Sequence, residues 1–145
     1  MIYKQFTWTE FDEAVDGLRE RLGRNRPRKL YAASNNGLVF AVALSYRLNV
    51  ELILKPEQGM LVVDALADSG ETLNKLINKF QCPSVVWLMR KGCKLKNVTH
   101  YEKIDEDCWP VLPWEEKLQA REAYQEYIKE RLTGSMPFRQ ANQAL

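Results

Sequence analysis

The chain has 145 residues, of which 46% are apolar, 28% charged and 10% aromatic, with 21 basic side chains against 19 acidic ones. That length can bury a proper core in one domain, and the sparse glycine and proline exclude collagen-like and disordered classes. A net charge of +2 gives no electrostatic reason to expect a nucleic-acid groove or an anionic membrane surface.

The first predicted element is a helix. Phe11, Ala14, Val15, Leu18 and Leu22 recur at helical spacing, with Thr9 as a candidate N-cap and Gly23 and Pro27 marking the exit. "KLYAAS" (29–34) is a short apolar strand, broken by "NNG". "LVFAVALSYRL" (38–48) reads as a buried helix, "VELIL" (50–54) as a strand and "KPEQG" (55–59) as a turn. "MLVVD" (60–64) is a strand apolar on both faces, which suits a covered parallel sheet. A second helical face follows, carrying Leu73, Leu76, Ile77 and Phe80. "SVVWLM" (84–89) is another buried strand, and "VTHYEKI" (98–104) an edge strand. From Trp114 to Leu132 the pattern is charged and helical, with Leu118, Ala123, Tyr124, Tyr127 and Ile128 inward.

Strands alternating with helices imply an α/β fold with a mainly parallel central sheet flanked by helices. One domain is expected over 1–133, made of an N-terminal helix segment (1–28), a core (29–112) and a C-terminal helix (113–133), before a loosely ordered tail (134–145). Cys82, Cys93 and Cys108 are too few and scattered for a disulfide framework or a zinc site. "MIYKQFTWTEF" has no apolar stretch of a signal peptide, and "GLVFAVAL" is too short to span a bilayer. A cytoplasmic protein is expected, with no membrane partner.

In such sheets ligands sit at the carboxyl ends of strands. Three segments fall there: "SNNG", "DALADSGET" and "RKG". In "DSGET" a strand stops, Gly70 permits a tight turn and a helix starts. The first helical N–H groups lack intrahelical partners, and the helix dipole adds positive charge. Ser69 and Thr72 add hydroxyl donors, so the corner can bind phosphate. A capping box between Asp68 and Glu71 would satisfy the same N–H groups without any ligand. Neither a GxxxxGK[ST] loop nor a GxGxxG fingerprint is present. Asp64, four residues before Asp68, can accept hydrogen bonds from ribose hydroxyls.

"LVVDALADSGETL" (61–73) resembles the diphosphate-sugar signature of the type I phosphoribosyltransferases: an apolar strand, two acids, two spacers, then Asp-Thr-Gly-x-Thr. "AASNNGLVFAVALSYRLNV" is similar to the family's loop and apolar helix. "RKG", followed by "DCWPVLPWEE", is similar to the xanthine/guanine phosphoribosyltransferase branch. The resemblance spans residues 29 to 116 and implies a Rossmann-like core. It also implies an enzyme that transfers ribose 5-phosphate from phosphoribosyl diphosphate to a purine-like base, with Mg2+ carried mainly by the substrate and no metal ligand required of the protein. Ser69, Gly70, Glu71 and Thr72 would then hold the 5′-phosphate, and Asp64 the ribose. Asp68 would assist proton transfer on the base. Asn35, Asn36 and Gly37 would line the diphosphate loop. Arg90 or Lys91 would donate to an exocyclic oxygen, and Trp109 would stack on the base. Outside the resemblance, Trp109 reads equally as a core or lid residue, Arg90 and Lys91 as a solvated strand end, Trp114 as a packing anchor and His100 as a surface residue.

Three departures stand against the pattern. Ala65 replaces the second acid, Asn35-Asn36 replaces Arg-Gly, and "KPEQG" replaces a long flexible loop that would close over the reaction. Two readings follow: a small divergent phosphoribosyltransferase, its site shielded by another device such as a neighbouring subunit in a homo-oligomer, or a binding protein for a nucleoside monophosphate or phosphoribosyl group without turnover. A nucleotide-binding α/β protein of another kind is a third.

Overall fold

A computed structural model describes residues 2–133; the expected loose tail lies outside them. The elements, in chain order, are β1 (Ile2–Gln5), α1 (Trp8–Leu22), β2 (Lys29–Ala32), α2 (Asn35–Leu48), β3 (Glu51–Ile53), β4 (Leu61–Ala67), α3 (Glu71–Phe80), β5 (Ser84–Arg90), β6 (Val98–Ile104), β7 (Cys108–Val111) and α4 (Lys117–Thr133).

β4 and β5 are buried along their whole length, which is why both read as unbroken apolar runs. They form the centre of a five-stranded sheet with order β3-β2-β4-β5-β6, every pairing parallel. Side chains alternate across it. Leu30, Leu61, Val63, Val85 and Trp87 share a core with α1 and α2. Tyr31, Met60, Val62 and Val86 face Leu73, Leu76 and Phe80 of α3. β6 is the edge strand, as its polar sequence predicts.

Several boundaries differ from the sequence reading. α1 is capped by Thr7 rather than Thr9. The Thr7 hydroxyl accepts the N–H of Glu10 at 3.1 Å, and the Glu10 carboxylate accepts the N–H of Thr7 at 3.3 Å, a full capping box. α2 begins at Asn35, so "NNG" forms its first turn instead of a loop. β1 pairs in parallel with β7 as a separate two-stranded sheet, a pairing of the first and last strands that no local pattern announces. Leu118 is 63% exposed and Ala120 takes its place inside.

The 54–60 connection turns away from the carboxyl edge. Glu57 pairs with Lys29, the first residue of β2, at 3.0 Å. Gly59 N–H and the Gln58 amide donate to the carbonyls of Phe80 and Lys79, at the end of α3. The segment is therefore tied to the amino end of the sheet.

Trp87 sits 1% exposed among Phe6, Phe11, Phe40 and Trp114, with ring centroids 5.3 to 6.4 Å apart. It joins β5 to α1, α2 and the segment before α4. Trp87→Ala is expected to destabilise the protein by about 3–5 kcal/mol, read as a lowered urea midpoint at unchanged slope.

Candidate functional site

The strand order reverses between β2 and β4. From β2 the sheet grows outward to β3, and from β4 it grows the other way through β5 to β6. The crevice at the carboxyl ends of these two strands is the topological switch point of an open α/β sheet. Two helices start there, α2 after β2 and α3 after β4.

The α2 start is built around Ser34. Its hydroxyl donates to Asp64 Oδ1 at 2.7 Å and accepts the Gly37 N–H at 3.0 Å. Asp64 Oδ1 also accepts the N–H of Ala65 at 2.8 Å. The carboxylate is thereby pinned beneath the helix, and Asp64 is 2% exposed. β4 runs on to Ala67, so Asp64 lies inside the strand rather than at its end. A ribose contact through this side chain does not match that placement. Asp64 instead fixes the entry to α2. Ala65, 0% exposed, belongs to the main core. Asn35 is exposed, and the Asn36 side-chain oxygen accepts the indole N–H of Trp114 at 3.2 Å, which makes Trp114 the anchor its sequence position indicated.

The α3 start is different. Gly70 is its N-cap, at φ +87°, and supplies no side-chain cap. A Cβ at that position would also meet Cys93 Sγ and Leu95 Cβ at 3.0 Å. Ser69 Oγ accepts the Glu71 N–H at 3.3 Å, a long bond, and Gly70 can offer nothing to Thr72 and Leu73. The Asp68–Glu71 capping box does not form, because the N-cap is Gly70 and Glu71 is the first helical residue; Asp68 pairs with Arg90 instead. A cavity of about 480 Å³ opens beside this start, lined by Ser69, Gly70, Asn74, Asn78, Lys94 and Lys96. The two lysines carry no motif and escaped the sequence reading.

Arg90 ends β5 and is 5% exposed, so it is no solvated strand end. Its Nε donates to Asp68 Oδ1 at 2.9 Å, and its Nη1 to the carbonyls of Asp105, Glu106 and Cys108 at 2.9, 3.3 and 2.7 Å. With that many acceptors it is a clamp rather than a ready donor to a base. Lys91 points away into an exposed pair with Asp105, whose hydrogen bond and charge raise its pKa. Trp109 is 1% exposed, its ring 5.1 Å from Tyr124 and 5.4 Å from Tyr127 of α4. Its stacking face is therefore covered by the protein's own helix. Burial, then the nearby charge of Asp68, raises the pKa of the Tyr127 phenol. His100 lies partly buried on β6, and burial, reinforced by Lys103 and Arg21, lowers its pKa.

Among the described residues, no group of three or more His, Cys, Asp or Glu could hold a metal ion, and no helix is long and apolar enough to cross a membrane. The three cysteines are unpaired thiols.

Solved structures share this architecture. A purine phosphoribosyltransferase from Pyrococcus horikoshii Ot3 matches at a TM-score of 0.69 and 22% identity, over 80% of this chain and 96% of that one. The fold is that of the type I phosphoribosyltransferases. A xanthine-guanine-hypoxanthine phosphoribosyltransferase from Helicobacter pylori matches at 0.68 and 18% identity, over 83% and 97% of the two chains. A hypothetical protein from Neisseria gonorrhoeae with bound ppGpp matches at 0.64 and 14% identity, over 83% and 94%. No family model and no curated protein matches the chain.

Gly37 is the tightest point of the site. A Cβ there would lie 3.0 Å from Asp64 Cα, Asp64 Oδ1 and the Val63 carbonyl oxygen, and a strand backbone cannot swing aside as a side-chain tip can. Gly37→Ala is expected to lift the α2 start off β4 and cost about 1–3 kcal/mol, measured by chemical denaturation. A neutral result would mean that the helix start is not held against the strand.

Proposed function

We propose that this protein transfers ribose 5-phosphate from phosphoribosyl diphosphate to a purine-like base, with release of diphosphate. The observation that carries the reading is the α3 start at the switch point, where the N-cap Gly70 brings no side chain to the Thr72 and Leu73 N–H groups. Its N–H groups and the Ser69 and Thr72 hydroxyls form a cradle for one phosphate, and Asp68 stands directly before it.

In this reading the 5′-phosphate sits on Ser69, Gly70, Glu71 and Thr72, with Lys94 and Lys96 adding positive charge from the neighbouring loop. The α2 start at Asn35–Gly37, held by Ser34 and Asp64, faces the diphosphate with a helix dipole in place of a cation. Asn donates hydrogen bonds but no charge, so the diphosphate is held less strongly than by arginine. Magnesium bound with the diphosphate would supply that missing positive charge. In the transfer, the bond from ribose C1 to the diphosphate oxygen breaks as a bond from C1 to a base nitrogen forms. Diphosphate leaves with the electron pair, and the proton on the base nitrogen passes to an acceptor. Asp68, a quarter exposed and oriented by Arg90, is that acceptor. General base help of this kind is worth roughly 10²–10⁴-fold.

The second reading is nucleotide or phosphoribosyl binding without turnover. What favours it is the tethered 54–60 connection, which leaves no β3–β4 loop to close over the crevice, together with the bound ppGpp of the Neisseria gonorrhoeae neighbour. One assay separates the two. With magnesium, phosphoribosyl diphosphate and a panel of purines, diphosphate release is expected, and chelation of magnesium should abolish it. Nucleotide binding with no release at high protein concentration would establish the second reading. Asp68→Asn is expected to lower the release rate by roughly 10²–10⁴-fold while nucleotide affinity stays within a fewfold. An unchanged rate would remove Asp68 from the chemistry.

A further inference from the structure

β5 and β6 are parallel neighbours, yet only residues 91–97 join them, and none of these is helical. A parallel pair usually needs a crossover of about a dozen residues or more, most often a helix. Here a strap takes its place, fastened at both ends. The Lys91 N–H donates to the Ile104 carbonyl at 2.9 Å, and the Asn97 carbonyl accepts the Ser84 N–H and hydroxyl, each at 3.1 Å. Between these fastenings Leu95 is buried in the core on the α3 side. A strap is thinner than a helix, so one flank of α3 has no helical neighbour, and the 480 Å³ cavity is the gap that remains. From Gly70 it runs along α3 past Asn74 and Ile77 to Asn78, about 12 Å at 1.5 Å per residue. A phosphate on the α3 start occupies one end of that length. We propose that the rest of the groove is a second binding site, which takes a phosphorylated sugar along the flank of α3. It does not depend on the transfer reaction proposed above.

The lining fixes the chemistry of the ligand. Lys94 and Lys96, on either side of Leu95, are exposed and line the groove. Among the described residues neither ammonium group has an acidic partner, and two lysines against Glu71 leave the groove net positive. A pair of ammonium groups suits a phosphate. Opposite them, Asn74 and Asn78 stand four residues apart on one side of α3, and Asn97 lies at the end of the strap. A carboxamide both donates and accepts hydrogen bonds, as a sugar hydroxyl does. Asparagine is a poor residue for a helix interior. Among the described residues the Asn74 and Asn78 side chains bond to nothing else in the protein, so their presence brings α3 no structural return. The apolar part of the lining, Ile77 and Leu95, is aliphatic. It can meet the carbon face of a sugar ring. No aromatic ring lines the groove to stack a base, which favours a sugar phosphate over a nucleotide.

The strap also touches the α3 start. A Cβ on Gly70 would meet Leu95 Cβ at 3.0 Å. Phosphates held on the two sides of that contact repel each other, so each ligand should weaken the other, and by the same factor.

The test is a titration of glucose 6-phosphate into isotope-labelled protein, followed through the side-chain amide resonances of Asn74, Asn78 and Asn97. Those resonances should shift and saturate even with ribose 5-phosphate already bound at Ser69–Thr72, and glucose without phosphate should leave them unmoved. Asn74→Ala/Asn78→Ala, at two exposed positions where alanine is the better helix former, should weaken glucose 6-phosphate about tenfold with ribose 5-phosphate affinity unchanged. Lys94→Gln/Lys96→Gln should weaken it about tenfold or more. In calorimetry, saturating glucose 6-phosphate should raise the Kd for ribose 5-phosphate about fivefold or more and then reach a plateau. Shifts confined to the backbone amides of residues 69–72, or a Kd that climbs in proportion to added glucose 6-phosphate, would place the probe on the α3 start alone and overturn the proposal. Unchanged glucose 6-phosphate affinity in the asparagine pair would overturn it as well. If ribose 5-phosphate does not bind while the asparagine amides still respond to glucose 6-phosphate, the phosphoribosyl reading falls and the groove stands.

Discussion

The Arg90 guanidinium is the joint on which the carboxyl edge of the sheet depends. A buried cation is costly unless its donors are matched. Here one carboxylate and three backbone carbonyls meet it. Those acceptors come from different pieces of chain: Asp68 after β4, Asp105 and Glu106 between β6 and β7, and Cys108 at the start of β7. Bringing them to one side chain fixes the phosphate corner against the turn that leads into β7. β7 then carries Trp109 and receives both β1 and α4. Without Arg90, the corner and the two-stranded sheet would share little beyond the Trp87 cluster.

A second carboxylate organises the other half. Asp64 and Ser34 bind α2 to β4 at the point where Gly37 has no room for a methyl group. The two halves use acids differently. Asp64 is sealed and structural, while Asp68 stays partly open with one oxygen engaged. That contrast puts two acids four residues apart in different environments: Asp64 pinned beneath α2, and Asp68 a quarter exposed beside Arg90.

The sheet and its parallel pairing were legible because buried parallel strands read as apolar runs and helices as 3.6-residue stripes. The turn into α3 was legible because a glycine set between an apolar strand and an amphipathic helix marks a tight turn into a helix start. What was not legible depended on contacts between distant segments. β1 is four residues of mixed character, and only β7 makes it a strand. Arg90 reads as a charged strand end until the 105–108 carbonyls fold over it. Trp109 reads as an open aromatic until α4 lies on it. The α4 stripe differs by one helix face at Leu118, since a helix with a sparse apolar face gives periodicity little to fix on. Lys94 and Lys96, beside the α3 start, have no local signature at all.

Ala65 takes on a different meaning once its side chain is placed. As a missing acid in a signature it reads as a lost ligand. In the fold it sits wholly inside the main core, where a carboxylate would be charged among apolar side chains and would cost more than it could return. For the proposed transfer, the departure that would bear on chemistry is the short loop between β3 and β4, because an oxocarbenium-like sugar centre would have to be kept from water while the leaving group departs. The 54–60 connection is fastened to the opposite end of the sheet and cannot supply that shield.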